Sequence, residues 1–215
     1  MDAESCICNM VDKASAESHR YYLARRTALE MLKDRGYDIP DSDILVTLPE
    51  FRSIFGEKPD LERLRISASL VSQPSKKILV IFCGADVVKL AIIRGIYSQV
   101  GKDNLHRMIL VLQNKMTAQA RQATKEVFQF KVELFQITDL LVNITKHCLK
   151  PKHYVLTPLE KQKLLSKYSV EDKQLPRMLE SDAIARYYGL EKGQVVKITY
   201  SGEITESYVT YRCIM

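Results

Sequence analysis

Cys6 and Cys8, with His19 further along, are the first residues whose types and spacing invite chemistry, because thiolates and imidazole together can hold zinc. A structural zinc site normally takes two close pairs of ligands, and this C-x-C has no second pair. Cys83 and Cys148 stand in apolar runs and Cys213 in the last one, so they read as small core residues. The four histidines are scattered, and none has a recognisable nucleophile beside it. Gly84, Gly95 and Gly101 make neither a dinucleotide-binding nor a P-loop spacing. No G-x-S-x-G elbow and no H-E-x-x-H pair occurs. The expectation is a protein without cofactor, metal or small-molecule substrate.

The elements that would have to position any site fall into two groups. A helix is expected from about Ala16 to Arg35, with Tyr21, Ala24, Ala28, Met31 and Leu32 on one stripe and Gly36 just past its end. Its other face carries Arg20, Arg25, Arg26 and Lys33, for which a solvated face is a simpler reading than a nucleic-acid contact. Met1 to Lys13 is polar and aperiodic, and an extension over residues 1–15 is expected to be flexible.

Three apolar runs follow, Lys77 to Phe82, Arg107 to Leu112 and Val132 to Phe135. Between them Asp86 could cap a helix through Tyr97, and Thr117 one through Phe128. That is βαβαβ, which predicts parallel strands in a three-layer α/β domain over residues 16–149. Lys150 to His153 breaks the pattern, so a second, α+β domain is expected over 150–215. A piece of roughly 60 residues buries only about 60% of its unfolded surface, so this domain should gain stability from a partner.

Composition adds bounds. The 215 residues are 46% hydrophobic, with 32 basic and 26 acidic groups, a net charge of +6 and a pI near 9.0. That balance favours an acidic partner, nucleic acid foremost, without making the surface a polycation. Five cysteines without a regular framework and no signal-like N-terminus point to a reduced, intracellular compartment. No apolar run approaches the roughly 20 residues that cross a bilayer, so no membrane is expected as partner.

The last forty or so residues are the densest in signals. Ser181 or Asp182 can cap a short helix that Gly189 closes, and Leu190 to Gly193 reads as a turn. Gln194 to Tyr200 is a β-branched run expected to pair with Ser207 to Ile214 across a turn at Ser201 to Glu203. Here the motifs "LP" (Leu175, Pro176), "D-x-IARYYGL" (Asp182 to Leu190), "GQVVKI" (Gly193 to Ile198) and "YVTYR" (Tyr208 to Arg212) resemble the fifth subunit of eukaryotic nuclear RNA polymerases, which has a counterpart in the archaeal enzyme. The resemblance continues upstream in "TPLEKQKLLSKY" (Thr157 to Tyr168), "LVNITKH" (Leu141 to His147) and "MLKDRGY" (Met31 to Tyr37), covering the chain from about His19 onward.

The resemblance implies a non-catalytic, nuclear subunit of a DNA-directed RNA polymerase. Its first domain would be a restriction-endonuclease-like jaw beside downstream DNA, and its second an assembly domain docked on the largest subunit. A nuclease of that fold needs an Asp and then a Glu-x-Lys on the next strand to hold a divalent ion. Glu133 is followed instead by Leu134 and Phe135, and Asp86 and Lys89 lack a carboxylate partner. For sequence-independent DNA contact the candidates are Lys115, Thr117, Gln119 and Arg121, in the loop and helix start after the second parallel strand. In the family that loop carries a Thr-Pro pair, whereas Ala118 stands at the proline position here. A capped helix start with no DNA role is the competing reading.

Arg186, Tyr187, Gly193, Val195, Val196 and Lys197 are the docking candidates, with the alternative that Tyr187, Val195 and Val196 are internal core. Ala183 replaces a usual proline of the family, and Tyr200 with Ser201-Gly202 departs from an Arg-x-Ser pattern. "SHRYYLARR" (Ser18 to Arg26) looks like the plant paralogue in RNA polymerase V, whose noncoding transcripts guide RNA-directed DNA methylation and gene silencing. The subunit shared by polymerases I, II and III is the alternative within this class. A free-standing nucleic-acid-binding or nuclease-like protein is the alternative outside it.

Overall fold

The computed structural model describes residues 15–100, 105–200 and 208–215. The Cys6/Cys8 pair, Gly101, the N-terminal extension and the Ser201 to Glu203 turn lie outside them. Chain contacts divide the protein into two units between Val142 and Asn143, ahead of the expected 149/150 boundary. The 3₁₀ turn Ile144–Lys146 falls in the second unit, where Asn143 donates from its side-chain amide to the Tyr187 hydroxyl at 3.2 Å.

The first unit begins with α1 (Ala16–Asp34), whose stripe of Tyr21, Ala24, Ala28, Met31 and Leu32 is buried as its spacing predicts. Short helices α2 (Asp41–Leu45) and α3 (Leu48–Phe55) follow, the second opened by a Thr47/Glu50 capping box. A four-stranded sheet then forms in the order β1-β2-β3-β4. Strands β2 (Gln73–Phe82), β3 (Leu105–Leu112) and β4 (Lys131–Gln136) are parallel, while β1 (Ile66–Leu70) joins β2 antiparallel.

Alternation along the strands assigns the two faces. Ile81, Met108, Leu110 and Leu112 pack with α4 (Leu90–Val100) and α5 (Ala118–Val127), through Ile93, Ile96, Ala120 and Ala123. On the other face Phe82 meets the Tyr21 ring of α1 edge-on, with centroids 6.2 Å apart. The parallel βαβαβ core is thus present between two helical layers.

Helix α4 starts at Leu90, so Asp86 does not cap it. The reason lies in Val88, which is 1% exposed and pairs as a parallel bridge with Met116, holding its segment extended. Cys83 is buried as expected, and burial pushes its thiol pKa up to about 11. Cys148 is exposed rather than core, because it stands in a turn beside the equally outward Leu149.

The second unit is a sheet in the order β5-β7-β8-β6, made of β5 (Lys152–Val155), β6 (Arg177–Met178), β7 (Val195–Tyr200) and β8 (Tyr208–Ile214). Strands β7 and β8 pair antiparallel as their sequences predict. Helix α6 (Pro158–Tyr168) covers one face over Leu164, Val195 and Cys213. Helix α7 (Ala183–Tyr188) covers the other over Ala185, Val196, Ile198 and Ile214. Asp182 caps α7 by accepting from the Ile184 amide at 2.9 Å, and Gly189 closes it at φ 62°.

Candidate nucleic-acid and subunit interfaces

The loop after β3 lies at the carboxyl edge of the parallel strands, and its shape follows from a set of short-range bonds. The Lys115 amide donates to the Asn114 side-chain oxygen at 2.7 Å, and the Asn114 side-chain amide donates to the Ala85 carbonyl at 3.3 Å. Val88 donates to the Lys115 carbonyl at 3.2 Å, and Thr117 donates to the Val88 carbonyl at 3.1 Å. The loops after β2 and β3 are thereby laced into one edge. Gln113 reaches from its base to the Tyr21 hydroxyl of α1.

Thr117 caps α5 by accepting from the Ala120 amide at 3.2 Å, which is the bland role open to it. Lys115, Gln119 and Arg121 are exposed and Thr117 is half-exposed, so the four candidates occupy one short segment of this edge. Such an arrangement offers two cations and a helix N-terminus to a phosphate.

Among the described residues Glu133 is the one carboxylate whose strand position invites a catalytic reading, and its surroundings weigh against it. Arg35 donates to both its oxygens, at 2.7 and 3.2 Å, and Arg107 donates to one at 3.1 Å. Burial alone would push the Glu133 pKa up, but the two guanidiniums outweigh it and hold the carboxyl below its ordinary range. A buried carboxylate whose charge is already met by two guanidiniums is a poor ligand for a further cation. Among the described residues no group of three or more His, Cys, Asp and Glu side chains converges as metal ligands would.

In the second unit the candidates separate by burial. Tyr187 is 3% exposed, and Val195 and Val196 are fully buried on opposite faces of the sheet, so these three form the core of the unit and not its surface. Two adjacent strand residues point to opposite faces, and both faces here are covered by helices. Arg186 and Lys197 are half-exposed.

Gly193 sits at φ 84°, with open space where a Cβ would project. Its amide donates to the Ile214 carbonyl at 2.9 Å, and its own carbonyl accepts from the Lys161 ammonium at 2.8 Å. The same ammonium pairs with Asp172. Gly193 is therefore a turn residue that ties β7 to the end of β8 and to α6.

Both family models that match the chain describe the same protein. The N-terminal domain of RNA polymerase Rpb5 matches residues 15–100, and its C-terminal domain matches residues 142–214. The chain belongs to the Rpb5 family of RNA polymerase subunits. The start of the Rpb5 C-terminal match coincides within a residue with the division between the two units.

Relatives of the Rpb5 family similar over nearly the whole chain include two from Arabidopsis thaliana. DNA-directed RNA polymerase V subunit 5A is 56% identical over 97% of this chain and 94% of its own length. DNA-directed RNA polymerases IV and V subunit 5B is 54% identical over 98% of this chain and 97% of its own. The RPABC1 subunit of polymerases I, II and III from Caenorhabditis briggsae is 35% identical over 93% of this chain and 97% of its own. No helix among the described residues is long and apolar enough to cross a membrane.

The Arg35–Glu133–Arg107 cluster and the Lys161 clamp on Gly193 are structural features that inspection of the sequence did not single out. Arg35 lies 98 positions from Glu133, so no local pattern links them. The only cue was a carboxylate inside an otherwise apolar strand, which demands a buried partner.

Proposed function

We propose that the chain is a non-catalytic subunit of a nuclear DNA-directed RNA polymerase, in plants RNA polymerase V, whose noncoding transcripts guide RNA-directed DNA methylation. The observation that carries this reading is the gradient of similarity. Identity over nearly the full length is 56% to a polymerase V subunit and 35% to the subunit shared by polymerases I, II and III.

In this reading the second unit docks on the largest subunit, with Arg186 and Lys197 on its surface and Tyr187, Gly193, Val195 and Val196 holding that surface in shape. The first unit is a restriction-endonuclease-like jaw beside downstream DNA. Lys115, Thr117, Gln119 and Arg121 meet the phosphate backbone there without reading sequence. The arginine clamp on Glu133 supports a jaw without hydrolytic chemistry.

Tagged co-purification of the full chain from plant nuclear extract, followed by mass spectrometry, tests the proposal. The expected result is recovery of the polymerase V largest subunit through a moderate salt wash. Recovery of the largest subunits of polymerases I, II and III together would make the chain the shared form instead. Recovery of no polymerase, with Mg²⁺-dependent cleavage of duplex DNA by the purified chain, would replace the proposal by a nuclease.

A further inference from the structure

The α6 face of the second unit carries a groove that the docking candidates only touched. Tyr154 of β5 pairs in register with Lys197 of β7, and Lys197 pairs with Tyr211 of β8. The three side chains therefore form one cross-strand row on the face that α6 covers. Between that row and α6 lies a groove of ≈ 270 Å³. Leu156 and Leu164 line it, and Lys163 and Lys167, one helical turn apart, rim it opposite Lys197. A second shallow groove on the outer side of α6 shares Lys163 and Lys167 and exposes Leu159 at 71%.

The charge balance of this surface decides what it suits. Three ammonium groups face the groove against one carboxylate, Glu160. That carboxylate is already engaged, accepting from the Thr157 amide at 2.8 Å and the Thr157 hydroxyl at 2.9 Å, and from the Tyr154 hydroxyl at 3.3 Å. The strand order also leaves β5 at the edge of the sheet, where an added extended segment could pair with its backbone. The Tyr154 and Tyr211 rings share the lining with the two leucines, and the β5 edge beside them favours an extended polypeptide, whose backbone can pair with a strand edge as a nucleic acid cannot.

We propose that this groove docks an acidic, extended segment of another polymerase subunit, seating one apolar side chain between Leu156 and Leu164 while its carboxylates meet Lys163, Lys167 and Lys197. The proposal rests on the reading of the second unit as the docking unit and names the chemistry of what it docks. Opposite charge steers such a segment in, and the buried side chain slows its release.

The test uses the full chain and a short fluorescein-labelled peptide rich in Asp and Glu with one central Phe, read by fluorescence anisotropy. The same peptide with Ser for Phe, and a duplex oligonucleotide, serve as competitors. Binding should weaken with salt, weaken by about tenfold in the K163Q/K167Q/K197Q variant, and weaken again when Ser replaces Phe. Circular dichroism of the variant should match the wild type, since all three positions are at least partly exposed. Absence of peptide binding, an unchanged affinity in the variant, or displacement of the peptide by the oligonucleotide from the same three lysines would overturn the proposal.

The tagged variant is then carried through co-purification beside the wild type. Loss of polymerase from the variant alone is the expected result. Equal recovery by both would overturn the groove as a polymerase contact. Failure of the wild type to recover polymerase would instead count against the docking reading itself.

Discussion

At the scale of single residues, Glu133 and Gly193 show how a side chain and its absence each fix a site. Glu133 is almost buried, with side-chain exposure of 11%, and so is Arg35 at 4%. Removing one partner of such a cluster leaves an uncompensated buried charge. Glu133→Ala is therefore expected to lower stability by about 3–5 kcal/mol, measured by denaturant unfolding. The pH dependence has a definite sign. Because the folded pKa of Glu133 is held below its ordinary 4.5, its contribution is present above that value and fades as pH falls through the lower folded one. Glu133→Gln should lower stability most near neutral pH and flatten that part of the acid limb, so that the gap to the wild type narrows as pH falls, as unfolding midpoints at a series of pH values would reveal. Gly193 acts through its backbone alone, since nothing lies within 4 Å of where a Cβ would stand. At φ 84° an L side chain costs about 1–2 kcal/mol, so Gly193→Val should lower the melting temperature and weaken polymerase recovery together. A turn glycine can be read from its neighbours, whereas the partners of Glu133 come from distant positions and can only be found in the folded chain.

At the scale of elements, local signals decided most of the architecture, and they failed where tertiary contact overruled them. Caps were legible because their chemistry is local. Thr117 and Asp182 each accept from an amide two or three residues on, whereas the capping box of Thr157 with Glu160 at the start of α6 was not read from the sequence. Asp182→Ala should cost about 1 kcal/mol in thermal or denaturant unfolding, the usual loss for an N-cap. Helix α6 ends on Ser169 at φ 51°, a left-handed position that glycine normally takes. Ser169→Gly should therefore be neutral or stabilising by up to about 1 kcal/mol, which distinguishes it from most glycine substitutions. Parallel strands β2 to β4 were legible as continuous apolar runs, because both of their faces are covered. Strand β1 was not, since Ile66 and Ala68 alternate with serines in too short a stretch to stand out. The start of α4 was misplaced because the Val88–Met116 bridge, a contact between two loops, keeps Asp86 out of the helix.

At the scale of the whole molecule, the net charge of +6 is spread over both signs, and function follows from where cations gather. The segment from Lys115 to Arg121 presents two cations at the edge of the parallel sheet, and the proposed jaw reading assigns them a weak, sequence-independent phosphate contact. Duplex DNA should bind the purified chain no tighter than about 10⁻⁴ to 10⁻⁶ M at physiological salt, and Lys115→Ala with Arg121→Ala should weaken it further and shallow the salt slope. Family membership was legible in the sequence because most of its motifs sit in the caps, turns and strands of the second unit, with others on the first helix. The docking groove was not legible, because the row of Tyr154, Lys197 and Tyr211 depends on strand register across three segments. In the proposed division of labour, residues 143–215 hold the chain to its polymerase while residues 16–142 face DNA. Lysine-directed cross-linking and mass spectrometry of the assembled polymerase carrying this chain tests it most directly. Cross-links to the largest subunit should come from Lys163, Lys167 and Lys197, with Lys115 linked only to segments beside the downstream DNA. Cross-links to the largest subunit from the first unit alone, with none from those three lysines, would overturn that division.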